Sequence, residues 1–218
     1  MAYLEANPGM GGFKNPSDVV TGEYPDENLT DEYFWAAAEL YRTTSADSYA
    51  AALNSVDTSK LALGLGWEGV GYYGVNTVLS TPHADATLKN KMQGIMDQCI
   101  TELENNRNAD AYGSTFASVY PWGSNMTIAN NGMLYLMADN REGAESQLAY
   151  LLGNNANSYC FVTGYGMVSP ISTHHRPSQA SGKTMTGMLV GGPNSNLEDP
   201  YAQAVLKNTA PAKCYVDN

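Results

Sequence analysis

The segment from His83 to Asn105 does most to limit what this chain can fold into. Leu88, Met92, Ile95, Met96, Cys99 and Leu103 recur every three or four residues, so they share one face of an α-helix. A stripe of that kind needs an apolar partner surface. Thr81 and Pro82 suit a cap and a first helical position, and His83 reads as an exposed residue of the first turn. The alanine-rich run Leu29–Arg42 predicts a second strong helix, with Asp31 and Glu32 in the first turn, where the helix dipole favours acids. Further helices are predicted over Ala46–Leu53 (capped by Ser45), Met126–Ala138, Gly143–Leu152 and Leu197–Leu206. Ala2–Ala6 reads as the tail of a helix broken by Pro8 and the glycines up to Gly12, and Trp67–Leu79 as a buried helix weakened by three glycines.

No stretch alternates like a strand. Roughly six or seven helices in pairs, with long loops between them, point to an all-α fold, an α/α toroid or another helix-pair architecture. Nothing in the 218 residues resembles a linker or a second composition regime, so one continuous piece is expected.

Charge narrows the partners. The chain carries 22 acidic and 11 basic residues, a net charge of −11, which disfavours nucleic acid because phosphate binding needs clustered Lys and Arg. Only 15% of residues are charged, a balance suited to a neutral substrate or a bound cation. No run of about 18 apolar residues exists to cross a membrane. The opening MAYLEANPGMGG lacks the basic and apolar regions of a signal peptide. Cys99, Cys160 and Cys214 are widely spaced and form no CxxC, which leaves buried free thiols or at most one disulfide.

Chemistry concentrates between Ser158 and Arg176, SYCFVTGYGMVSPISTHHR. Two of the three histidines stand here beside an arginine. Two imidazoles and a guanidinium can hold a polar ligand through several directed donors, or they can be a chance cluster on a surface loop. Trp122 is open to two readings in the same way, a packing residue or a flat face on which a ring can stack.

This segment resembles the histidine signature of glycoside hydrolase family 9, in which SYVTGFG is followed by SP and PHHR. Seven more segments resemble the same family in the same order: LEANP, TGEYPD, DEYFWAAAELYR, GWEGVGYYG, YPWGSNM, QLAYLLGNN and MLVGGPNSNLEDPY. The resemblance covers nearly the whole chain. It implies part of an (α/α)6 barrel, a six-hairpin toroid, and inverting hydrolysis of β-1,4-glucans by a secreted endoglucanase. It places His174 and Asp217 at the catalytic centre, with Asp217 supporting the segment that carries the acid. It makes Arg176, Trp122, His175 and Tyr24 substrate-binding residues, with His175 also bracing the loop. Asp31, Glu32 and Glu68 match a calcium site found in some members, and hard oxygen ligands suit that ion.

The departures are specific. Val168 stands where the family has Asn, Lys or Arg, Thr173 where it has Pro, and Met126 where an Arg often follows the tryptophan. No DAGD-type motif, the source of the family's base, occurs in the chain. The family's acid is a Glu about nine residues past a Tyr-x-Asp, and here Tyr215-Val216-Asp217 is followed only by Asn218. An inverting glycosidase needs both carboxylates, roughly 6.5–9.5 Å apart. The expectation is therefore the middle and late part of a catalytic domain, inactive or nearly so alone. It would act instead as a non-catalytic glucan-binding piece, or as a structural one that covers its exposed faces by pairing with another copy.

Overall fold

The computed structural model describes Tyr3, Ala6, Asn7 and residues 14–116 and 118–217. The break at Pro8–Gly12 lies outside the described residues, as do parts of the expected Ala2–Ala6 helix and of LEANP; Tyr3 and Ala6 are helical. Helices dominate, and among the described residues the one β-type pairing is an isolated antiparallel bridge, Val162 to Leu189. The chain divides into two compact units, residues 1–98 and 99–218.

In the first unit, α1 (Thr30–Thr44) packs against α2 (Asp47–Ser55) and α3 (Gly71–Ser80). Phe34, Ala37, Ala38 and Tyr41 recur at helical spacing, and all four are buried. Val75 and Val78 of α3 are buried as well. Gly74 explains why a helix with so many glycines is stable here. A Cβ at that position would lie 2.6 Å from the Phe34 ring and 3.1 Å from the Trp35 Cα, so its absence lets the two helices touch. Close by, Trp35 and Tyr73 stack at 4.9 Å, and the Glu39 carboxylate accepts from Trp35 Nε1 and Thr77 Oγ1.

The long helix α4 (Ala86–Ala109) buries Leu88, Met92, Met96 and Cys99, the stripe read from the sequence. Its start is later than expected. Thr81 ends α3 instead of capping α4, and the Asp85 carboxylate accepts from Leu88 N in the first turn. His83 lies before the helix. Its Nε2 is 3.0 Å from Tyr41 O and 3.1 Å from Ser45 Oγ, and its ring meets Tyr41 edge-on at 5.0 Å. Ser45 closes α1 in a left-handed conformation and does not cap α2.

In the second unit, α5 (Ser124–Met137) and α6 (Arg141–Leu151) form a pair joined by three residues. Asn140 caps α6 by accepting from Gly143 N at 2.9 Å. Arg107 donates to Glu104 and Glu142, and Glu104 also accepts from Asn140 Nδ2. Tyr120, Ile128, Tyr150, Leu151 and Phe161 make the core beneath the histidine segment. Two short helices follow, α7 (Arg176–Ser181) and α8 (Pro200–Leu206). Cys99, Cys160 and Cys214 are buried free thiols.

Two glycines in helices should respond oppositely to alanine. Gly74→Ala is expected to lower stability by about 1–3 kcal/mol, because Phe34 must move. A Cβ at Gly94 in α4 would meet nothing within 4 Å, so Gly94→Ala should raise stability by about 0.5–1 kcal/mol. Urea unfolding of the two variants checks both signs.

Candidate functional site

The histidine segment is built outward from its buried end. Phe161 N donates to Leu151 O at 2.9 Å, and Val190 N donates to Phe161 O at 3.1 Å. The segment is thus stitched both to α6 and to the glycine-rich loop at 187–197. Cys160 N donates to Val168 O at 3.0 Å and closes a turn through Gly164 and Gly166, both with positive φ. Only the backbone of Val168 is used in that bond, and its side chain is exposed.

The glycine-rich loop is fastened to the turn at 120–125. Asn125 N donates to Gly191 O and Asn125 Nδ2 to Val190 O, both at 3.0 Å. Ser124 Oγ donates to Pro193 O at 2.7 Å. Gly192 has φ +84°, and a Cβ there would sit within 2.4 Å of the Asn125 side chain. Ser195 N donates to Tyr120 O at 2.7 Å, while its hydroxyl accepts from Tyr120 N. Two stretches that look like unconnected loops in sequence therefore form one rigid double loop.

Trp122 is 72% exposed at the tip of that double loop. With Gly191, Ser172, His174, Glu198 and Tyr215 it lines an open cleft of about 700 Å³. His174 is exposed. Thr173, just before it, is buried, and its Oγ1 is without a hydrogen-bond partner. His175 turns its Nδ1 back onto α7, 2.9 Å from Ser178 Oγ, and accepts from Ser178 N. That acceptor role puts the proton of the neutral ring on Nε2. Arg176 is the first residue of α7 and is exposed; among the described residues it is not part of the cleft lining.

Tyr215 packs its ring edge-on against Phe161 at 5.1 Å. Burial, and then the nearby Asp217 carboxylate, push its phenol far up, so it remains a donor throughout the physiological range. Asp217 Oδ2 accepts from the backbone N–H of both Ile171 and Ser172, at 2.8 and 3.1 Å. Tyr215 and Glu198 are cleft residues that local sequence gave no means to assign, because both reach it through the folding of distant loops.

Tyr24 belongs to the first unit. It is 62% exposed and meets the half-exposed Trp67 edge-on at 5.6 Å. The acidic set lies in the same unit. Asp31 is fully buried; its Oδ2 accepts from Val70 N at 2.8 Å, but its Oδ1 has no partner. Glu32 Oε2 and Asp26 Oδ2 are also buried without partners. Burial first, then repulsion from Asp31 and Asp26, push the Glu32 carboxyl up to about 7. Asp26, absent from the sequence-derived set, is thus the second acid felt by Glu32 after Asp31, whereas Glu68 is exposed. Among the described residues, no group of three or more His, Cys, Asp or Glu converges closely enough to hold an ion by itself.

Residues 2–218 match the profile of Glycosyl hydrolase family 9, and the chain belongs to that family. It is 33% identical over 227 residues to Endoglucanase C of Cellulomonas fimi, covering 90% of this chain and 20% of that protein. It is also 33% identical over 254 residues to a Cellulose 1,4-beta-cellobiosidase of Acetivibrio thermocellus, covering 99% of this chain and 28% of that protein. The solved structure of AaCel9A in complex with cellobiose-like isofagomine superposes with a TM-score of 0.91 at 33% identity. That match covers 100% of this chain and 43% of that one. The chain therefore spans less than half the length of each of these relatives. Its fold is part of the (α/α)6 barrel of family 9 endoglucanases, as the sequence motifs imply.

Proposed function

We propose that these residues form one wall of the glucan-binding cleft of an endo-β-1,4-glucanase. Trp122 offers its flat indole to a pyranose face, His174 donates to a sugar hydroxyl, and Arg176 adds its planar fork at the rim. The observation that carries this reading is the cleft shared by exposed Trp122, exposed His174 and partly buried Tyr215. The complex of AaCel9A with a cellobiose-like compound supports a glucan as the ligand class. A polymeric glucan lies outside cells, so a whole enzyme of this kind would be secreted.

In this proposal the chain binds and does not cleave. No DAGD-type motif stands among its residues, and no second carboxylate here has the family's acid motif around it. The chemistry of the reaction requires no cofactor. Two copies would cover the apolar groove of about 600 Å³ between α5 and α6, where Met133, Leu136 and Leu148 are half-exposed.

Titration with cellohexaose should show binding that weakens by about tenfold in Trp122→Ala. The same protein should release no reducing sugar from carboxymethyl cellulose. Equal affinity of the two forms contradicts the stacking role, and measurable turnover contradicts the assignment of the acid and base to other residues.

Calcium is proposed for the acidic set. Unpartnered, buried oxygens of Asp31 and Glu32 are hard donors, with Asp26 supplying further negative charge, and calcium would neutralise that repulsion. Without a cation, the raised Glu32 carboxyl makes the folded state bind more protons than the unfolded state between its ordinary value of 4.5 and about 7. Stability in EDTA should therefore fall as pH rises through that window. Added Ca²⁺ should raise the melting temperature, most at pH 8, and Asp31→Asn should remove that rise. A melting temperature unmoved by Ca²⁺ excludes the site.

A further inference from the structure

We propose that Asp217 is a positioning residue that holds His174 in the cleft by clamping the backbone ahead of it, an inference that rests on the glucan-binding reading above. One oxygen, Oδ2, takes two successive amides, those of Ile171 and Ser172. A carboxylate accepting paired N–H groups forms charge-assisted hydrogen bonds, which are stronger than neutral ones. Both residues are exposed, so packing does little to fix them; Ile171 is 76% exposed. On either side stand buried Pro170 and buried Thr173. The clamp thus fixes the exposed middle of a short span whose next residue is His174.

The carboxylate is itself held. Tyr215 OH lies 3.5 Å from Asp217 Oδ1, and the Tyr215 ring rests on Phe161 and Tyr159 while lining the cleft. The Tyr-x-Asp tripeptide therefore links the aromatic core, the cleft wall and the histidine loop. Asp217 faces backbone amides and acts on the ligand only through the loop.

Three variants of the 218-residue protein test this with cellohexaose. Asp217→Ala should weaken binding by about three- to tenfold, close to the effect of His174→Ala. Asp217→Asn keeps an oxygen able to accept both amides and should restore most of the affinity. In the His174→Ala background, Asp217→Ala should add nothing. Full additivity of the two changes, or unchanged binding in Asp217→Ala, overturns the proposal. Should the unaltered chain fail to bind cellohexaose, the glucan-binding reading falls, and NMR of the free protein still tests the clamp. Asp217→Ala should shift the His174 ring resonances and speed amide exchange at Ile171 and Ser172, with Asp217→Asn resembling the parent. Unmoved His174 resonances would refute it.

Discussion

Asn125 holds the candidate site together. Its backbone and side chain both bond to the 190–191 backbone, and the loop can come that close only because residue 192 is glycine. Ser124 and Ser195 add further ties on either side. Those bonds spend the polar groups of two loops on each other, and so Trp122 can stand out in solvent without a partner of its own. An indole with 72% of its surface exposed is costly unless something covers it. For the glucan proposed as ligand, a double loop tied in this way would keep that face ready and lower the entropy lost on docking.

The histidine segment depends on the same frame. Val190 N bonds Phe161 O, and Asn194 N bonds Cys214 O at 2.7 Å, so the double loop, the histidine segment and the Tyr215–Asp217 tail share one network. The departures from the family pattern meet this network in different ways. Val168 contributes a carbonyl that any residue could supply. Thr173 is different: it buries a hydroxyl with no partner where the family has a proline, and an unsatisfied buried polar group is destabilising. Met126 is half-exposed on the first turn of α5, where it replaces an arginine's charge with apolar surface.

The helices were legible from sequence because periodicity and composition are local. Leu88, Met92, Met96 and Cys99 lie on the buried face of α4 as read, and α1 differs by a residue or two at each end. Boundaries failed where a side chain serves a distant partner. Ser45 and His83 bond each other across 38 positions, so neither caps nor begins the helix beside it. The family motifs marked Trp122 and His174, but not that Asp26 presses on Glu32 or that Asp217 reaches back 45 residues to Ser172. Contacts of that range leave no periodic trace. The pairing of Asn125 with the glycine-rich loop, across 65 positions, is of the same kind.

A crystal structure of the chain soaked with cellotriose bears most directly on the central claim. A glucose ring lying flat on the Trp122 indole, with His174 within hydrogen-bond reach of one of its hydroxyls, is the predicted result. Sugar bound away from Trp122, or a cleft left empty at millimolar cellotriose while the loops keep their places, would contradict it.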